Sequence, residues 1–124
     1  MKATRPNLIV SLATMHPSRH LLERRIAEMG LGVISALSRG EINYDQAEHD
    51  LFNLDNYVEI RRRRLSSSLL QFFERGMQLE DVSEIGPQNV TSSFEKMNWL
   101  ADQIIRRAAR DLPRSTKLAQ RRSA

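Results

Sequence analysis

Val90, Phe94, Met97, Ala101, Ile104 and Ala108 recur at spacings of four, three, four, three and four, after Gly86-Pro87 and before Leu112-Pro113. Only an α-helix places such a series on one face, so this segment must be a long amphipathic helix that needs other helices to cover it. Proline at the first helical position loses no useful N–H, so Pro87 marks the start. Trp99 lies off this stripe, where it widens the core or sits at an interface.

The rest of the chain supplies the covering helices. Ser18 is a candidate N-cap for a helix whose apolar face begins with Leu21 and Leu22 and continues through Ile26, Met29, Val33, Ala36 and Leu37 to Gly40. Gly40 offers the left-handed residue that closes a helix. Gly30 and Gly32 either weaken this helix, by roughly 1 kcal/mol each relative to Ala, or let another helix approach closely. Asn43, with Gln46 three residues on and Asp45 in the first turn, starts a short helix that turns Ala47, Leu51 and Phe52 inward. A third helix is predicted from an Asp55 or Asn56 cap to Gly76, with Val58, Leu65, Leu69, Phe72 and Phe73 inside and Ile60 and Leu70 widening the stripe. Arg61–Arg64 fall within it and span about 300° of its circumference, so they cannot form a single phosphate clamp. At least one of them snorkels or pairs with an acid such as Glu59. Leu79–Ile85 adds one or two helical turns. Residues 1–17 read as a short strand or a helical turn laid on the core.

No period-two run, Asn-Gly hairpin or internal repeat is present. The expectation is an all-α compact bundle of four to five helices: a single helical domain over residues 1–110 and a basic flexible tail over residues 111–124.

The net charge of +4 on 124 residues conceals two populations. Residues 106–124 hold seven basic side chains and one acid, Asp111, whereas the remainder is slightly acidic. The acids of that remainder run Glu41, Asp45, Glu48, Asp50, Asp55, Glu59 without an intervening cation, then Glu74, Glu80, Asp81, Glu84 with only Arg75 between. Such runs are either solvated helix faces or an acidic face that attracts and orients a basic partner.

Catalytic signatures are missing from the sequence. Cysteine is absent, and Pro17 interrupts the i,i+4 pair His16 and His20. No nucleophile elbow, phosphate loop or dinucleotide fingerprint occurs. The reading is therefore non-enzymatic, with no cofactor, no metal and no membrane span. The partner-binding candidates are Asp45, Glu48, Asp50, Glu80, Asp81 and Trp99, facing a protein such as a basic toxin, in the manner of an immunity or antitoxin-like protein. The alternative is phosphate binding to nucleic acid through Arg106, Arg107, Arg110, Arg114, Lys117, Arg121 and Arg122. Asp45, Glu48 and Asp50 argue against groove reading by the second helix, because they would repel phosphate. A homodimer burying helix faces is compatible with the same pattern.

The stretch Ile34-Ser35-Ala36-Leu37-Ser38-Arg39-Gly40-Glu41-Ile42-Asn43-Tyr44-Asp45-Gln46-Ala47-Glu48, continuing to Leu51-Phe52, is followed later by Gly76-Met77-Gln78-Leu79-Glu80-Asp81-Val82 and Pro87. It resembles a family of small bacterial helical proteins catalogued only as a domain of unknown function, over roughly residues 26–105. The resemblance implies a helical fold and a bacterial, cytoplasmic setting, and carries over no catalytic residue.

Overall fold

The computed structural model describes residues 7–110. Seven helices follow in order: α1 (Leu8–Met15), α2 (Arg19–Ser38), α3 (Tyr44–Asp50), α4 (Leu54–Arg62), α5 (Ser67–Met77), α6 (Leu79–Ile85) and α7 (Pro87–Arg110). No strand occurs among the described residues, so the all-α class holds. The number of helices exceeds the four to five expected, for two reasons.

The first is α1: of the two alternatives for this stretch, strand or helical turn, residues 8–15 take the helical one, as a helix of two turns. Asn7 Oδ1 accepts the N–H groups of Ile9 at 2.8 Å and Val10 at 3.2 Å, an N-cap that starts α1. Ile9 and Leu12 then enter the core.

The second is the predicted third helix, which is two helices. It is capped by Asn53, not by Asp55 or Asn56: Asn53 Oδ1 accepts the Asn56 N–H at 2.9 Å, while its amide nitrogen donates to the Glu48 carbonyl at 2.9 Å. One side chain thus ends α3 and begins α4. Asn56 is instead buried, donating to the Leu51 carbonyl. α4 stops at Arg62, Arg64 adopts a left-handed φ of 56°, and Ser66 caps α5 by accepting the Leu69 N–H. The break exposes all of Arg61–Arg64, and Arg62 and Arg63 share Glu59 Oε1 at 2.9 Å each, the pairing expected of this run. It also rotates Val58 into solvent, against expectation, while Ile60 is fully buried.

α7 is the organising element. Its 24 residues extend about 36 Å, and α2, α5 and α6 pack along it. The start of α2 lies beside the end of α7, where His20 and Glu23 line one small cavity with Ile104, Arg107 and Ala108, so the two run antiparallel. α4 packs on α5, α1 bridges α2 and α4, and α3 sits against α2. Met97, Ala101, Ile104 and Ala108 are buried as their spacing requires, joined by Leu100 and Ser93. The buried face of α2 is centred on Leu22, Glu23, Ile26, Ala27, Gly30 and Ile34, one position off the predicted stripe; Leu21 is exposed. Gly40 takes φ 71°, the left-handed closure anticipated for it.

Phe52, Phe72 and Phe73 form the centre of the core, with ring centroids 5.5–6.2 Å apart and none exposed. Two glycines admit them. A Cβ on Gly30 would fall under 3.0 Å from the Phe72 ring, and a Cβ on Gly76 would do the same with Phe52. Gly76 is the penultimate residue of α5, within one residue of the helix end its sequence context suggested, and Phe52 lies over it.

Candidate functional site

The Phe52–Gly76 approach determines where the acids fall. Phe52 follows α3 by two residues, and Gly76 precedes α6 by three. With Ala47, Leu51, Phe52 and Leu79 all buried, α3 and α6 are held so that their outer faces adjoin. The sequence supplies acids on both. Asn43 Oδ1 caps α3 by accepting the Gln46 N–H at 2.8 Å, which places Asp45 in the first turn and Glu48 one turn on. Glu80 and Asp81 occupy the first turn of α6.

Carboxylate oxygens of Asp45, Glu48 and Glu80 all lie within 4.8 Å of one another, on exposed side chains. Asp45, Glu48 and Glu80 thus form one acidic surface drawn from two helices, and Asp81 follows Glu80 in the first turn of α6. Asp45 is the main cause holding the Glu80 carboxyl above the ordinary glutamate range, followed by partial desolvation and then by Glu84, Asp81 and Glu48. The sign follows directly. With all carboxylates ionised, their repulsion opposes folding; as pH falls through the raised Glu80 value, protonation relieves it. A cation seated among the three relieves it at neutral pH. None of Asp45, Glu48, Glu80 and Asp81 forms an ion pair among the described residues, so that capacity is unspent. The oxygen spacing suits a guanidinium, an ammonium or a hard divalent ion.

Asp50 lies apart from this group. It faces an open groove lined by Asn7, Ser11, Met29 and Asn56, which shares His49, Asn53 and Asp55 with a second groove carrying Asp45 and Glu48. His49 is thus a neighbour of the acidic face, marked in the sequence only by its place after Glu48 on α3, whereas Asp55, which opens α4, belongs to the acidic run that the sequence already shows. Trp99 is half-exposed on α7 with Lys96 Nζ 4.3 Å from its ring centre, and lines neither acidic groove.

The basic candidates separate as well. Arg106 is held by Asp102 at 2.8 Å, Arg107 borders the cavity beside His20 and Glu23, and Arg110 flanks Gln103 and Ala109. Arg114, Lys117, Arg121 and Arg122 lie outside the described residues. Among the described residues no helix is long and apolar enough to cross a membrane.

Fold and surface define a small all-α domain with a two-helix acidic face. Residues 18–119 match the family described as "Protein of unknown function (DUF3969)", and the chain belongs to that family. The match starts at the N-cap of α2 and contains the stretch from Ile34 to Pro87 that carries the resemblance. No curated protein and no solved structure matches the chain.

Proposed function

We propose that this protein is a non-enzymatic protein-binding module whose acidic face, Asp45, Glu48, Glu80 and Asp81, receives a cationic side chain of a basic partner. An immunity or antitoxin-like role follows naturally, because a toxin acting on nucleic acid presents a basic cleft to phosphate and a carboxylate cluster occupies such a cleft as a mimic. The observation that carries this reading is the convergence of three unpaired carboxylates within 4.8 Å on two helices. Solvation alone would favour separating them, and Coulomb repulsion at that distance persists until a cation arrives.

The test is a comparison of two baits. The full chain and its Asp45→Asn/Glu48→Gln/Glu80→Gln variant are each used to capture partners from the native cell extract after nuclease treatment. The expected result is one stoichiometric basic protein held by the native chain and weakened at least roughly tenfold by the variant, as loss of close interfacial charge pairs entails. Equal retention by the two baits, or no protein partner for either, rejects the proposal. The substitutions remove repulsion, so the variant should remain folded.

A further inference from the structure

The opposite end of the α2–α7 pair carries the reverse charge. There α1 ends and α2 begins, α4 ends and α5 begins, and α7 terminates. These turns bring Arg19, the Arg61–Arg64 run and Arg107 to one pole. His16, Arg19 and Arg63 line a common groove, and Ser66, two residues after Arg64, borders the cavity that Arg107 flanks. Among the described residues, the carboxylates ion-paired to these arginines are Glu23 and Glu59. Glu23, with its side chain 9% exposed, accepts the Ser66 N–H at 2.7 Å and faces Arg19. Glu59, 12% exposed, holds Arg62 and Arg63. Among the described residues these six guanidinium groups outnumber the two carboxylates, a positive surplus, and Arg64 and Arg107 form no ion pair.

Helix dipoles do not account for this surplus. Three helices end at the pole and two begin there, a net of about half a negative charge. Nor does backbone economy explain Arg64, whose left-handed φ of 56° suits glycine and is unfavourable by about 1 kcal/mol or more for an arginine.

We propose that this arginine pole is a phosphate-binding face that seats on the backbone of a nucleic-acid duplex, independently of residues 111–124. Guanidinium groups fork onto phosphate oxygens in bidentate pairs. A duplex is favoured over a single strand because these turns carry no exposed aromatic ring for bases to stack on. A lipid surface is disfavoured because Met15 and Leu21 alone contribute exposed large apolar groups to the α1–α2 corner, and insertion scales with apolar area.

The test uses the full chain, native and as Arg64→Gly/Arg107→Ser, with a short mixed-sequence duplex followed by fluorescence anisotropy between about 50 and 200 mM salt. The native chain is expected to bind with a steep salt dependence. The variant is expected to bind roughly tenfold more weakly at intermediate salt, with a log–log salt slope shallower by about 2. Arg64→Gly alone is expected to melt no lower than the native chain, so lost binding cannot be ascribed to unfolding. Absence of duplex binding by the native chain overturns the proposal. So does equal binding by the variant, which would place the contact outside this pole. Binding to phosphatidylserine vesicles but not to the duplex also overturns it.

Discussion

Gly30→Ala is expected to destabilise the protein by about 2–3 kcal/mol, whereas Gly32→Ala, on the same helix, is expected to stabilise it by about 1 kcal/mol. Intrinsic propensity favours alanine equally at both positions, so the difference isolates packing. A methyl group at Gly30 meets the Phe72 ring, and that ring cannot withdraw because Phe52 and Phe73 close its other sides. At Gly32 nothing lies within 4 Å of an added Cβ. Overpacking of this kind is unfavourable by about 1–3 kcal/mol and sometimes more, exceeding the propensity gain. Thermal melts read the contrast, at roughly 4–8 °C per kcal/mol for a domain of this size. A Gly30→Ala protein as stable as the native one would mean that Phe72 does not cross α2 there. Gly76→Ala is expected to behave like Gly30→Ala, and to disturb the acidic face as well, because Phe52 sets α3 against α6 through that residue.

The second large effect concerns Glu23. Its carboxylate crosses from α2 to cap α5 from outside, at 2.7 Å from the Ser66 N–H, and Arg19 lies 3.5 Å from its other oxygen. Glu23→Ala leaves that part-buried amide without its partner. The expected loss is about 1–2 kcal/mol in urea unfolding, the range for losing a charge-assisted hydrogen bond whose donor regains some access to water. Glu23→Gln retains an acceptor oxygen and is expected to lose about half as much. Hydrogen exchange at the first turn of α5 should quicken in Glu23→Ala before it quickens in α7. A Glu23→Ala protein within about 0.5 kcal/mol of native would show that Ser66 alone suffices as the cap.

These two sites also mark the boundary of what the amino-acid order reveals. The α7 stripe, the Gly40 closure, the Asn43 cap and the Pro87 start are local: each depends on residues within one or two turns, and each is found where expected. The α4–α5 break is local too, but its signal is weak. It contains neither glycine nor proline, and an arginine occupies the left-handed position where glycine is the usual marker. Ser66 was the available cue, as a good N-cap ahead of Leu69. Glu23 was illegible for another reason: a carboxylate in an apolar stripe reads as surface until its partner, 43 residues away, is known.

The site divides in the same way. The acidic runs are plain in the sequence, and so is the placement of Asp45 and Glu80 in first turns. Their convergence is not, because it depends on an aromatic ring crossing a glycine between α3 and α6. Adjacent carboxylates such as Glu80 and Asp81 diverge on one helix. The cluster needs a second helix, and nothing in the spacing of Asp45 and Glu80 announces one.

The proton titration of Glu80, followed by side-chain NMR in the native chain and in Asp45→Asn, tests the acidic face most directly. The account predicts that Glu80 titrates above the ordinary glutamate range in the native chain and moves back toward it when Asp45 is neutralised, since Asp45 is the largest cause of the shift. An ordinary Glu80 titration that is indifferent to Asp45→Asn would contradict it: α3 and α6 would not share a surface, and the binding face proposed here would not exist.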